Sequence, residues 1–243
     1  MRMLTFSSRT AREILRDPLN LAFGIGFPVV LLCLMSAIQA NIPVPIFELT
    51  ALTPGVAVFG LSFLTLFGAT LVSRDRETAL LERLYTTPMT AADFIFGYAL
   101  PLLPMALVQS ALTYLVAVLL GLSPSAGLVW AVLLNLPAAL FFIALGLLCG
   151  SVLSVKQVGG LCGALLTNLT AWLSGAWFDL ELVGGAFRAV ADALPFSHAV
   201  EIGRAVLAGD PAAALPHLVW ALGYAAVFSV LAVVLFLSQM RRR

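Results

Sequence analysis

The stretch that decides the fold is residues 94–155, which reads FIFGYALPLLPMALVQSALTYLVAVLLGLSPSAGLVWAVLLNLPAALFFIALGLLCGSVLSV. Its 62 residues include no Asp, Glu, Lys or Arg. A helix needs about 20 apolar residues to cross the hydrocarbon core of a bilayer, so this stretch is long enough for two crossings. The turn-forming sequence GLSPSAG at residues 121–127 separates them. We therefore predict membrane-spanning helices over residues 97–120 and 128–153.

Four further stretches without charge lie outside this one, and each has room for a single crossing. They predict spans over residues 19–39, 53–73, 158–177 and 217–238. The stretches are apolar throughout and lack the alternation of barrel strands, which indicates helices. The first is longer than the roughly 7–15 apolar residues of a signal peptide, so we interpret it as a span. The predicted fold class is an all-α integral membrane protein with six transmembrane helices.

The overall composition agrees with a membrane protein. Of the 243 residues, 61% are hydrophobic and 10% are charged, whereas a soluble domain has about 25% charged residues. The formal net charge is only +1, which offers no general attraction to a polyanion. These values exclude a soluble enzyme, a nucleic-acid-binding module and a disordered chain.

The basic residues are distributed unevenly around the predicted spans. Eleven of the 13 lie on one side, namely Arg2, Arg9, Arg12, Arg16, Arg74, Arg76, Arg83, Lys156, Arg241, Arg242 and Arg243. Loops rich in Arg and Lys face the cytoplasm, so we predict that both termini are cytoplasmic in a prokaryotic-type inner membrane. The outer side has two basic and six acidic residues. Termini on the same side require an even number of spans, which agrees with six.

The predicted spans lack the groups that support catalysis or ion coupling. No Asp, Glu, Lys, Arg or His lies near mid-membrane, where proton- and ion-coupled transporters normally carry such groups. His198 and His217 are too few for a metal cluster, and Cys33, Cys149 and Cys162 lie within spans as packing residues. Neither a catalytic set nor an ATP-binding motif can be assembled. If the chain transports actively, a partner must supply the energy.

The N-terminal residues 1–17 are predicted to form an amphipathic helix in the membrane interface. At about 100° per residue, Arg9, Arg12 and Arg16 lie on one side, toward lipid headgroups, and apolar residues lie on the other. Asp17 is then placed to cap the first span. The alternative is a simple basic tail that sets the topology.

Charge is concentrated in the loop 74–93, which holds seven of the 25 charged residues. Apolar residues between positions 80 and 85 form a stripe at helical spacing, and Pro88 ends that helix. Thr90 and Asp93 resemble a capping box that begins the third span. A short charged helix with an apolar stripe fits a groove in a soluble partner. The alternative is a helix that rests on the bilayer surface.

This loop resembles the corresponding segment of the type-2 permeases of ATP-binding-cassette (ABC) exporters. Members of that family typically carry a segment like E-R-E-x-G-T-L-E-R-L-x-x-T-P after the second span. The present chain has DRE at residues 75–77, LERL at 81–84 and TP at 87–88. It departs from the family pattern at Ala79-Leu80, which stand where G-T is usual.

Two other motifs extend the resemblance over the whole chain. The R-x-P entry to the first span and its later proline are matched by Arg16-Asp17-Pro18 and Pro28. The family pattern that follows the fifth span is matched by Pro195, Glu201, Arg204 and Gly209. The six predicted spans also follow the family layout.

The resemblance implies a single permease domain over residues 1–243 that works as a homo- or heterodimer. Each copy would dock a separate ATPase chain, which binds the ATP and Mg, through a coupling helix in 74–93. This chain itself would bind no cofactor. The docking residues implied are Arg76, Glu77, Leu81, Glu82, Arg83, Leu84, Tyr85 and Pro88.

Residues 178–216 are largely apolar yet carry seven charges, five of them acidic. They are too polar to span and too apolar for a free loop, which favours short helices that dip into the outer leaflet. By resemblance these re-entrant helices would cap the exit of the pathway, with Pro195, Glu201 and Arg204 at the outer gate. The alternative is a pair of helices lying on the outer surface.

Candidate pathway residues are the polar and aromatic side chains of the spans. They are Phe59, Phe63, Phe67, Gln109, Asn135 and Asn168. The phenylalanines recur every four residues, a spacing that is more often helix packing than a hydrophobic wall for the substrate. The amides must face a helix interface or a cavity, because an unpaired amide in lipid costs free energy. An uncharged pathway favours hydrophobic or amphipathic cargo, such as a drug or a lipid.

Two other functions compete with a permease of an ABC exporter. The first is a membrane scaffold or sensor subunit, which would need no pathway for cargo. A secondary transporter is disfavoured because the spans lack ionisable groups.

Overall fold

The computed structural model describes residues 2–78, 80 and 89–241, and this part of the chain is built from helices. The prediction of an all-α fold is confirmed. In chain order the helices are α1 (Arg2–Leu15), α2 (Pro18–Gln39), α3 (Leu49–Glu77), α4 (Ala91–Leu119), α5 (Ala126–Val152), α6 (155–173), α7 (Leu180–Val183), α8 (Gly185–Ala193), α9 (Pro195–Leu207) and α10 (Pro211–Arg241).

Among the described residues, five helices are long and apolar enough to cross a membrane. They are Pro18–Gln39, Leu49–Glu77, Ala92–Leu119, Ala126–Val152 and Pro211–Ser238. Each overlaps one predicted span and begins a few residues before the predicted start. The chain is therefore a multi-pass membrane protein, and five of the predicted spans have a helix of the expected type.

Local capping explains why two of these helices begin before the apolar core. The Asp17 carboxylate accepts a hydrogen bond from the backbone N–H of Asn20 at 3.1 Å, and Pro18 follows at the first helical position of α2. A capping box formed by Thr90 and Asp93 begins α4. Both predicted caps are confirmed.

The predicted sixth span remains a prediction. Helix α6 covers 155–173 and contains a π-helical segment at Gly159–Leu166, and it ends before residue 177. It is not among the five helices of sufficient length and apolarity. Lys156 and Asn168 lie within it and reduce its mean hydropathy.

Helix α3 is the centre of the structure, and α5 packs closely along it. A Cβ atom on Gly146 would lie 2.7 Å from the carbonyl oxygen of Thr65, and one on Gly150 would lie 2.6 Å from that of Ala69. The Thr65 hydroxyl donates to the carbonyl of Phe142 at 2.8 Å. Small residues therefore bring these two helices into backbone contact, as is common between membrane helices.

The segment between α6 and α10 folds as three short helices, α7 to α9. Helix α9 packs against α3, α5 and α10. The expectation of short helices in 178–216 is confirmed up to Pro211, where α10 begins. The re-entry of this segment into the membrane remains a prediction.

Candidate functional site

A buried carboxylate at the end of α3 organises the arginine-rich end of the molecule. Asp75 is 2% exposed. Its Oδ2 accepts from Arg9 Nη1 at 2.6 Å, and its Oδ1 accepts from Arg9 Nη2 at 2.8 Å. The Tyr98 hydroxyl donates to the same Oδ2 at 2.8 Å. The bidentate pair and the phenol together join α1, α3 and α4 at one point, and this three-residue group is called the Asp75 network below.

Aromatic packing places α1 against α4 beside the Asp75 network. The Phe6 ring meets Phe94 and Tyr98 edge to face, with ring centroids 5.7 and 4.9 Å apart. The side of α1 that is buried carries Phe6, Ser7, Thr10 and Ile14. Helix α1 is thus packed on the transmembrane helices and does not lie as a separate element.

The electrostatics of the Asp75 network involve one further carboxylate. The hydrogen bond with Asp75 raises the pKa of Arg9 above its ordinary value, so Arg9 stays charged. Partial burial raises the pKa of Glu13, although Arg9, whose Nη2 is 2.9 Å away, opposes this shift. Arg9 therefore has protein partners where its periodicity indicated lipid headgroups, whereas Arg12 and Arg16 are exposed.

Two of the predicted docking residues bind the linker between α5 and α6. Arg76 donates to the carbonyl of Ser151 and, at 2.6 Å, to that of Leu153. Glu77 accepts from the backbone N–H of Val155 at 2.9 Å. These contacts satisfy backbone groups at the end of α5 and the start of α6. Leu81, Glu82, Arg83, Leu84, Tyr85 and Pro88 lie outside the described residues.

The predicted pathway phenylalanines lie at a helix interface within the chain. Phe59, Phe63 and Phe67 are all buried. The Phe27 ring of α2 contacts Phe59 and Phe63 at centroid distances of 6.1 and 6.0 Å. Trp177 contacts Phe59 at 5.5 Å. These contacts are those of helix packing.

Two of the three predicted pathway amides are buried between helices. Gln109 Nε2 donates to the carbonyl of Ala57 at 3.3 Å, which links α4 to α3. Asn135 lies at the interruption of α5 and donates to the Ser110 hydroxyl at 3.3 Å. Asn168 is exposed and donates to a carbonyl of its own helix.

At the acidic end of the molecule, Arg204 of α9 connects three parts of the chain. Its Nη1 donates to Glu201 at 2.8 Å, its Nη2 to the carbonyl of Gly175 at 2.7 Å, and its Nε to the carbonyl of Ala51 at 3.2 Å. Pro195 begins the same helix. Helix α9 is thereby attached to the first turn of α3 and to the segment that follows α6.

A polar cavity of about 590 Å³ lies beside Arg204 at this end. Two histidines on its wall face each other, with 2.8 Å between the Nδ1 atoms of His198 and His217. The Trp220 ring stacks on His198 at a centroid distance of 5.1 Å. The sequence indicated only that His198 and His217 are too few for a metal cluster. Their pairing, which links α9 to α10, was not predicted.

Both ends of the molecule are therefore connected to α3, the arginine-rich end through Asp75 and the acidic end through Ala51.

The family of ABC-2 type transporters matches residues 2–208 of the chain, which is most of its length. The chain belongs to the ABC-2 type transporter family. A comparison with curated proteins finds no match.

Membership of the ABC-2 type transporter family defines the role of the chain. It is the membrane-embedded permease of an ABC transporter and not the catalytic ATPase. The family implies a partner ABC ATPase and, typically, a dimer of permeases. The resemblance identified from residues 75–88 and 195–209 is therefore confirmed at the level of the family.

The histidine pair of this ABC-2 permease predicts a loss of stability in acid. Burial lowers the pKa of His198, the neighbouring His217 lowers it further, and Asp192 and Glu201 oppose the shift. The unfolded chain therefore binds more protons than the folded protein as the pH falls below about 6.5. The contribution of this histidine to stability is complete above that pH and is lost below it.

Thermal unfolding of the purified permease at about pH 7.5 and about pH 5 tests this expectation. The wild type should lose more of its melting temperature between the two pH values than the His198→Gln variant loses. An equal loss in both proteins would show that His198 does not contribute to the pH dependence of stability in this range.

Proposed function

We propose that this permease forms the membrane subunit of an exporter, which moves hydrophobic or amphipathic cargo out of the cell. The energy comes from ATP, which is bound with Mg²⁺ and hydrolysed by a separate ATPase chain. The observation that carries the proposal is the Asp75 network together with the contacts of Arg76 and Glu77. These contacts connect the helix end that precedes the segment 81–88 to α1, α4 and the linker between α5 and α6.

The proposed route of coupling begins at the loop 74–93. The ATPase binds the segment 81–88, assisted by α1, and closure of two ATPase copies pulls on these segments. Because α3 is one continuous helix, a displacement of Glu77 reaches Ala51 at the other end of α3, where Arg204 is attached. The permease dimer would then switch between inward-open and outward-open states as a rigid-body change.

The proposed topology has six spans with both termini in the cytoplasm of a prokaryotic-type cell. Helix α6 covers residues 155–173, close to the roughly 20 residues that a crossing of the hydrocarbon core needs. A crossing at α6 places the arginine-rich residues on one side and the acidic residues on the other. The segment 178–216 then lies at the outer side, with Pro195, Glu201 and Arg204 as the outer gate.

The proposed pathway lies between two copies of the permease. Asn168 supports this arrangement, because it is an exposed amide on a helix proposed to be in the membrane. A second copy at α6 would cover it or enclose it in a cavity. Phe59, Phe63, Phe67, Gln109 and Asn135 are buried within one copy and would reach the cargo only in another state of the dimer.

Co-purification with an ATPase that carries an intact Walker A motif tests the proposal. Reversal of Glu82 and Arg83 (Glu82→Arg with Arg83→Glu) should abolish both the complex and the ATP-dependent movement of a fluorescent amphiphile in proteoliposomes. The matched control reverses Glu181 and Arg188, an exposed ion pair of 2.8 Å at the acidic end, and should keep both.

Two outcomes would contradict the proposed function. If the complex and ATP-dependent export both survive disruption of the segment 81–88, the coupling assignment is wrong. If the complex forms with the wild type but no probe moves with ATP, a scaffold or sensor subunit is the better description.

A further inference from the structure

A basic cleft of about 570 Å³ lies where α1, the start of α2 and the end of α3 meet. Its charged lining consists of Arg9, Arg12, Glu13, Arg16, Asp17 and Arg74. The cleft lies at the arginine-rich end, apart from the segment 81–88 and from the polar cavity at the acidic end.

Three of the four arginines in this cleft form no ion pair with the acidic residues beside them, although the charge of Arg74 acts to lower the pKa of Glu13. Arg9 is engaged by Asp75 and Glu13, and Asp17 accepts two hydrogen bonds from Asn20 at 3.1 and 2.8 Å. Within the described residues, Arg12 has only a 3.4 Å contact with the Ser8 hydroxyl.

The side chains of Arg16 and Arg74 are exposed and form no hydrogen bond or ion pair with another described residue. Three guanidinium groups therefore converge on one opening with unused donors. The planar fork of a guanidinium matches the oxygen atoms of a phosphate group. The cleft is thus complementary to an anionic phosphate.

Exposed apolar side chains continue from the cleft along the first transmembrane helix. Leu15 is 70% exposed at the end of α1, and Leu19 and Phe23 are 66% and 46% exposed one turn apart on α2. A ligand that covers both the arginines and this apolar surface needs a charged head and an alkyl chain. An acidic surface of a soluble partner would satisfy only the arginines.

The geometry points to a binding site for an anionic phospholipid, with the headgroup phosphate held by Arg12, Arg16 and Arg74. Its acyl chain lies along Leu19 and Phe23. A lipid bound there would contact α1, α2 and α3 together and hold the first span next to the Asp75 network. Anionic lipid in the surrounding leaflet would then stabilise the packing of α1.

Native mass spectrometry of the full-length permease tests the site with equal amounts of phosphatidylglycerol and phosphatidylcholine. The wild type should retain phosphatidylglycerol preferentially. Arg12→Gln, Arg16→Gln and Arg74→Gln should each reduce that preference about fivefold, the change expected for one basic residue near an anionic headgroup. The matched control Arg2→Gln removes a charge from α1 outside the cleft and should leave the preference unchanged.

Two further measurements test the electrostatic character of the site and the source of the anion. The preference of the wild type for phosphatidylglycerol should fall as the salt concentration rises from about 0.05 to 0.5 M. This measurement uses only the wild-type protein, so it does not depend on whether a variant folds. Inorganic phosphate should not displace the lipid, and full displacement would show a site for free phosphate. A preference unchanged by all three variants, or variants that lose the ATPase while they keep the lipid, would overturn the proposal.

Discussion

Replacing Asp75 by asparagine should detach α1 from α3 and abolish ATP-dependent transport. The substitution removes the charge that holds the bidentate Arg9 contact and the Tyr98 hydroxyl, and Asp75 is 2% exposed. Breaking such a buried charged contact should lower the free energy of unfolding by about 2–3 kcal/mol. Thermal unfolding measures the loss, and protease cleavage between α1 and α2 measures the release of α1.

Two matched variants separate the Asp75 network from a general loss of charge. Glu13→Gln removes the partly buried partner of the same arginine, whose i,i+4 pairing is worth only about 0.3–0.5 kcal/mol. Tyr98→Phe removes one hydrogen bond and should have an intermediate effect, about 1 kcal/mol. If Asp75→Asn lowers the free energy of unfolding no more than Glu13→Gln does, the Asp75 network does not hold the helices together.

Replacing Gly150 by alanine should strongly destabilise the permease, although alanine normally favours a helix. The new Cβ would lie 2.6 Å from the carbonyl oxygen of Ala69, which is backbone and cannot rotate away. Separating α5 from α3 to relieve this contact should cost about 3 kcal/mol. The melting temperature in detergent and the yield of monodisperse protein both measure the effect.

The control for this prediction is Gly159→Ala. A Cβ at Gly159 meets no atom within 4 Å, so the alanine should be neutral or stabilising, as it is for exposed helix positions. Equal stability of the Gly150 and Gly159 variants would contradict the backbone contact between α3 and α5.

The spans could be predicted from the spacing of charges because few charged residues tolerate the hydrocarbon core. Five of them have matching helices, and the caps at Asp17 and Thr90 were also predictable. The ends of the helices were harder to predict from the spacing of charges. Helix α3 continues to Glu77, past the first charged residue at Arg74, because Asp75 and Arg76 find protein partners there. A loop predicted from charge alone begins too early.

The contacts of the site were harder to predict because they join residues far apart in the chain. Arg9 and Asp75 are separated by 66 positions, and His198 and His217 by 19. One local signal did exist. Asp75 follows the buried Leu71 and Val72 at helical spacing, so a carboxylate on that apolar side required a charged partner.

The polar residues of the spans were difficult to assign because two different roles favour the same residue types. A buried amide and an amide that lines a pathway obey the same rule in lipid, so Gln109 and Asn168 could not be told apart by residue type. The structure separates them by burial within one chain. Their roles in the dimer depend on the second copy.

The most direct test of the account is the distance across the acidic end of the permease dimer when the ATPase binds ATP. A spin label at Leu182, which is 83% exposed on α7, reports this distance once Cys33, Cys149 and Cys162 are replaced by alanine. With an ATPase that binds ATP without hydrolysing it, the distance distribution between the two labels should shift, and Asp75→Asn should abolish the shift. An identical distribution with and without ATP in the otherwise wild-type complex would contradict coupling through α3.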